Sequence, residues 1–211
     1  LGEAASNHGE KIDLMLYITI AITGIVFVIT QILLFWFAYK YQEKENRKAY
    51  YFVHSTKLEL IWTVIPAIVL TVLVGFGIYY WIIITGPAPA NAAQIEITGY
   101  QFGWEFRYPG ADKTLGKKYF KNIDPGKNNP LGQIWEDSAN MDDVYVPGSE
   151  LMHLVVNKPV KLIINAKDVL HDVGLVHFRM KMDAVPGTPT TMWFTPKFTT
   201  KQMQEKYGPD F

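Results

Sequence analysis

LELIWTVIPAIVLTVLVGFGIYYWIII, residues 58–84, decides the fold. Apart from Glu59 it carries no charged side chain, and it is apolar all round rather than along one stripe. A second run, LMLYITIAITGIVFVITQILLFWFAY at 14–39, carries no charge at all. The hydrocarbon core of a bilayer takes about 20 apolar residues in a helix, and each run exceeds that. The alternative, two core helices of a soluble protein, leaves too little of a 211-residue chain to cover both. Pro66 interrupts one run and predicts a bend, which membrane helices tolerate because neighbours satisfy the freed carbonyl. Trp36 and Phe37, and Tyr79 to Trp81, lie towards run ends and fit aromatic belts.

Charge gives the orientation. The loop 40–57 holds Lys40, Lys44, Arg47, Lys48 and Lys57, whereas segment 1–11 has only Lys11 and nothing basic follows the second run before Arg107. Lysine and arginine accumulate on the cytoplasmic side, so the loop faces the cytoplasm and both termini face the periplasm or its equivalent. Residues 12–86 then form a two-helix hairpin in the lipid bilayer. The linker TGPAPANAA (85–93) leads into an outer domain spanning 87–211. The net charge is zero, which gives no reason to expect nucleic acid as a partner. No cysteine is present, so these residues hold neither a disulfide framework nor a thiolate metal site. A first residue Leu1 is read as processing or trimming, with no signal peptide visible.

The outer domain reads as strands. QIEITGYQFGWEFRY (94–108) alternates and is rich in aromatic and β-branched residues. LMHLVV (151–156), VKLIIN (160–165), residues 169–182 and residues 191–195 continue the pattern, with Pro-Gly turns at 109–110, 125–126, 147–148 and 186–187. Short strands punctuated in this way predict an antiparallel sandwich or barrel. Residues 110–142 are polar and poorly patterned, and are read as an excursion that contacts another protein.

Four stretches, in order along the chain, resemble subunit II of haem-copper oxidases of the cytochrome c oxidase type. They are LELIWTVIPA (58–67), GYQFGWEFRY (99–108), VYVPGSEL (144–151), and DVLH with KMDAVPG (168–171 and 181–187). The resemblance implies a membrane α-helical hairpin followed by an all-β, cupredoxin-like Greek-key barrel. It also implies a dinuclear copper centre, CuA, with His171 as one ligand. Imidazole and thiolate suit copper. The family's remaining side-chain ligands come from a Cys-x-Glu-x-Cys-x-x-x-His-x-x-Met segment that these residues do not contain, so they are expected beyond Phe211. The retained His171 and MDAVPG loop favour this over a loss of copper, since quinol-type relatives no longer keep the histidine. His153 and His177 are read as structural.

Further residues carry roles over from the family. Asp183 falls near the copper loop, as an outer neighbour of the site or a plain turn residue. Glu59 matches a glutamate at the entrance of a proton path into subunit I. The plain alternative is a capping box formed with Thr56. Phe102 stands where members commonly place the tryptophan that receives electrons, and Trp104 keeps the next one. Phenylalanine offers a π-face but no indole N–H. The acidic cluster Glu136, Asp137, Asp142 and Asp143 resembles a docking surface for basic cytochromes.

The expected protein is the subunit through which electrons enter a proton-pumping terminal oxidase of a bacterial inner membrane. Its donor is cytochrome c or a supercomplex-bound cytochrome domain. Its partners are subunit I, which alone holds the haems and reduces oxygen, and subunit III. Two other readings stay open: a copper-free subunit II of a quinol oxidase, and a membrane-anchored β-domain sensor or assembly protein.

Overall fold

The computed structural model describes residues 2–48 and 50–209; Phe211, beyond which the copper cysteines are expected, lies outside them. The chain divides into two compact units. One is Asp13–Trp81; the other joins the residues up to Ile12 to those from Ile82 onward.

The first unit is helical. Helices α1 (Gly9–Lys40) and α2 (Thr56–Thr85) carry the two apolar runs. At a rise of about 1.5 Å per residue each spans more than the roughly 30 Å hydrocarbon core. Phe27, Leu34, Trp62 and Val74 are all more than half exposed in the isolated chain, so these helices need lipid or another subunit around them. Four threonines within the runs are satisfied locally. Thr19, Thr23 and Thr30 donate to the carbonyls of Met15, Thr19 and Phe27 at 2.8 Å, and Thr71 to that of Ala67 at 2.7 Å. Helix α2 runs unbroken through Pro66. Its start corrects the capping expectation: the Ser55 hydroxyl, not Thr56, accepts the Leu58 N–H at 3.4 Å.

In the second unit alternation dictates the strands. They are β1 (Ala93–Tyr100), β2 (Gly103–Tyr108), β3 (Val144–Val146), β4 (Val160–Ala166), β5 (His171–Leu175), β6 (Met180–Ala184) and β7 (Thr190–Phe194). Five form a sheet in the order β3-β2-β1-β4-β7, and β5 pairs with β6 in a second sheet. The sequence predicts antiparallel pairing throughout, but β1 and β4 run parallel. The excursion leads to β3 at the edge beside β2, and residues 147–159 are the crossover that returns the chain on the far side of β1 in the same direction as β1.

Residues 151–156 correct a second expectation, for they form no strand. Their apolar alternation is real, since Met152 and Leu154 pack against the core. The backbone, however, has no ladder: His153 N–H donates to the Tyr108 hydroxyl at 2.7 Å. The core joins Ile95, Ile97, Leu162, Ile164, Met192 and Phe194 of the large sheet to Val173, Met180, Met182 and Ala184 of the small one.

Two segments outside the strands complete the unit. The amino-terminal residues are woven in: Ala5 N–H donates to the His177 carbonyl, Asn7 N–H to that of Thr195, and Lys197 N–H to that of Ala5. Ser6 is fully buried there. A short helix, α3 (Thr200–Tyr207), follows β7, starts on a Thr199/Gln202 capping box and buries Met203. The strand reading does not foresee it.

The outward residues of β1 and β2 are also buried, beneath the excursion. Arg107 joins Glu96 at 2.7 Å and Asp143 at 3.0 Å, and donates to the Asn140 side chain and the Gly116 carbonyl. Lys118 reaches back to Glu96 at 2.6 Å.

Candidate functional site

The site begins at the tip of the β1–β2 hairpin. Gly99 pairs with Trp104 and Tyr100 with Gly103, which leaves Gln101 and Phe102 as the turn. Phe102 projects into solvent, 93% exposed. The DVLH segment lies against this tip. Lys167 N–H donates to the Gly99 carbonyl at 2.9 Å, and Gln101 N–H to Asp168 Oδ2 at 2.7 Å. Asp168 Oδ1 accepts Val169 N–H at 2.7 Å and lies 2.8 Å from His171 Nε2. One carboxylate thus ties the hairpin tip, its own loop and the first residue of β5 together.

His171 is sheltered, with a side chain 16% exposed. Trp104 meets its ring edge-on with centroids 5.7 Å apart. Both rings lie over Gly99. A Cβ there would come within 2.9 Å of the indole and 3.0 Å of the imidazole, so only glycine leaves room for the stack. The histidine bond, then the Gln101 and Val169 amides, hold the Asp168 carboxyl down to about 2, far below the usual carboxylate range. Asp168 is therefore ionised at neutral pH and accepts a hydrogen bond from Nε2–H. That leaves the Nδ1 lone pair to bind a metal. A carboxylate that orients an imidazole in this way is the usual support of a metal-ligating histidine.

The residues fit one ligand of a metal centre, and one only. Among the described residues no three His, Cys, Asp or Glu side chains are grouped to hold a metal ion.

The other expected residues are scattered. Asp183 is not a neighbour of the histidine. It pairs across the β5–β6 ribbon with Asp172, whereas His171 pairs with Ala184. Strand alternation therefore places Asp183 and His171 on opposite faces. The acidic cluster is divided as well. Asp143 has a side chain with no exposure and is paired to Arg107, so it is no docking charge. Asp137 accepts the N–H groups of Lys117 and Ala139, which lower its pKa. Glu136 and Asp142 remain exposed. Glu59 lies in the first turn of α2, in the other unit. The sequence reading missed Asp168 and Gly99. The Asp-x-x-His spacing was the available sign of the first; the second needed the register.

An apolar hairpin joined to a two-sheet domain with a carboxylate-held imidazole at one end defines a membrane-anchored protein with a cupredoxin-like β domain. The chain belongs to the cytochrome c oxidase subunit II family. Residues 1–78 match the profile described as "Cytochrome C oxidase subunit II, transmembrane domain", and residues 94–202 that of the periplasmic domain. Among curated relatives, it is 37% identical to "Alternative cytochrome c oxidase subunit 2" of Bradyrhizobium diazoefficiens, over 91% of this chain and 68% of the relative. It is 26% identical to "Cytochrome c oxidase subunit 2" of Cereibacter sphaeroides, over 84% of this chain and 60% of the relative. It is also 26% identical to the protein of that name from Chondrus crispus, over 83% and 64%. The chain thus spans roughly three-fifths to two-thirds of these relatives' length. The family is one of electron transfer, and its members normally bind CuA.

Proposed function

We propose that this chain passes electrons from a periplasmic, cytochrome c-like donor, through a dinuclear copper centre held in part by His171, to the haem-copper subunit of a proton-pumping terminal oxidase in a bacterial inner membrane. The observation that carries the proposal is the His171–Asp168 pair packed under Trp104 at the hairpin tip. Bound copper would supply one-electron redox chemistry, and among these residues His171 would hold it.

This chain's own residues do the rest. Asp168 keeps the proton on Nε2 and fixes the ring plane. Trp104 and Gly99 hold the imidazole from the side and keep water off it. Phe102 offers a donor protein an exposed π-face two residues from Trp104, and Glu136 and Asp142 attract a basic donor. Glu59, at the cytoplasmic edge of α2, collects protons for subunit I.

The test is copper content and the copper signal in electron paramagnetic resonance of the purified complex, together with reduction by a cytochrome c. His171→Ala is expected to abolish the dinuclear signal while leaving subunit composition intact. Mass spectrometry of the carboxyl terminus provides the second arm. A polypeptide without cysteines after Phe211, or a His171→Ala variant that keeps the signal, overturns the copper reading. A copper-free complex that oxidises quinol instead supports the quinol-oxidase alternative.

A further inference from the structure

The turn that follows α1 has features that electron transfer does not use. Helix α1 ends in Lys40, and over the next eight residues the chain adds Lys44, Arg47 and Lys48, with Glu43 and Glu45 as the only carboxylates. The turn folds back on the helix end. Arg47 donates from Nη1 to the Lys40 carbonyl at 2.7 Å, so a guanidinium satisfies one of the open carbonyls that end the helix. The same guanidinium sits 5.7 Å over the Tyr41 ring, and the Lys40 ammonium lies 5.6 Å from that ring and 5.8 Å from Trp36. Two of the cations, Lys40 and Arg47, are therefore gathered on an aromatic ledge, with Lys44 and Lys48 exposed beside them.

Beside the ledge is a cavity of about 830 Å³, lined by Lys44, Arg47, Lys48, Tyr41, Tyr50 and Phe52 among others. Tyr50 stacks on Phe52 at 6.4 Å, and both are well exposed, at 88% and 60%. The lining brings three cations and one carboxylate, Glu43, together with two exposed rings. The cavity opens where a 32-residue apolar helix ends.

We propose that this cavity binds the headgroup of an anionic phospholipid, its phosphodiester held by Lys44, Arg47 and Lys48 and its glycerol and upper acyl carbons against Tyr50 and Phe52. The position argues for a lipid. Basic clusters directly after a membrane span attract anionic headgroups, and tyrosine and tryptophan prefer the headgroup level. Arginine suits a phosphate because its planar fork presents two parallel donors. A soluble anion accounts for the cations but not for the exposed rings beside them.

The experiment uses the full-length protein in the complex in which it occurs, delipidated in detergent and offered phosphatidylglycerol or phosphatidylcholine, with retained lipid counted by native mass spectrometry. The wild type retains phosphatidylglycerol over phosphatidylcholine. The Lys44→Gln/Arg47→Gln/Lys48→Gln variant loses that preference by roughly tenfold or more, as expected for three lost basic contacts at a membrane surface. Lys57→Gln, outside the cavity, keeps it. Tyr50→Ala/Phe52→Ala weakens lipid retention without affecting competition by inorganic phosphate. Equal retention in wild type and triple variant overturns the proposal. So does complete displacement of the lipid by inorganic phosphate at millimolar concentration, which makes the cavity a simple anion site. So does crosslinking of Lys44 or Lys48 to another subunit with no retained lipid, which makes it a protein contact.

Discussion

The two faces of the β1–β2 hairpin are built from alternate residues of the same strands and have opposite chemistry. Inward, Ile95 and Ile97 are 3% and 2% exposed and join one apolar core. Outward, Glu96 and Arg107 are 4% and 2% exposed. Burial is therefore equal, but its cause differs. The inner face is held by removal of apolar area from water, which is non-directional and tolerates any side chain of suitable volume. The outer face is held by named bonds: Arg107 to Glu96, Asp143, Asn140 and Gly116, Lys118 to Glu96, and Glu105 to Lys167 and the Tyr145 hydroxyl. Asn140 closes the set by donating to the carbonyls of Lys117 and Ile134. A polar segment that reads as an unpatterned excursion is ordered here because one arginine satisfies several of its acceptors at once.

The comparison breaks most sharply at Arg107. Arg107→Ala leaves Asp143 buried without its ion-pair partner and Glu96 with Lys118 and Asn165 only, and a buried pair broken on one side costs about 3–5 kcal/mol. Chemical denaturation of the detergent-solubilised chain is expected to show that loss. Limited proteolysis is expected to show new cleavage within 110–142. Leu162→Ala, at a fully buried position on the inner face, is expected to cost about 3 kcal/mol through transfer and cavity terms. Its excursion should stay resistant to protease, because no bond to Arg107 is touched. Cleavage at 110–142 in both variants alike would show that the two faces fold as one and that the distinction has no energetic meaning.

The same contrast explains what could be read in the sequence. The membrane runs were legible because their apolar character is local and continuous, and β4 and β7 because alternation is local too; 94–108 and 169–182 each read as one stretch, whereas the chain turns at Gln101–Phe102 and at Val176–Phe178. The strand predicted at 151–156 had the right apolar spacing but lacked the hydrogen-bond partner that spacing cannot reveal. The parallel β1–β4 pair depends on where a long crossover returns, which no short window contains. The outward charges of β1 and β2 were indistinguishable from a solvated strand face until Asn140 and Asp143 came in from some 35 residues away. At the candidate site, His171, Phe102 and Trp104 were found through the family motifs. Asp168 stood in the quoted DVLH motif without a role, since its function lies in a side-chain direction. Asp183 was assigned through the family loop KMDAVPG, and strand alternation turns it to the face opposite His171.

Two smaller effects sharpen the contrast at the hairpin tip, where the inner face ends in the site. Gly99→Ala places a methyl group within 3.0 Å of both the Trp104 and His171 rings. Overpacking of this kind costs about 1–3 kcal/mol. Because the rings must part, loss of copper signal should exceed loss of stability; an unchanged signal would mean that the stack does not position the imidazole.

Phe102→Ala lies at the other extreme. With 93% of the residue exposed, it buries almost nothing, and the change in unfolding free energy should stay within about 0.5 kcal/mol. If the ring instead serves a docking donor, the rate of copper reduction by cytochrome c should fall with the copper signal intact, and Phe102→Trp should equal or exceed the wild type. Stopped-flow reduction at low and high salt separates this from charge steering, since salt acts on Glu136 and Asp142 and not on a π-face. An alanine variant with wild-type reduction kinetics at both salt concentrations would leave Phe102 as an exposed turn residue and move the donor's contact elsewhere on the domain.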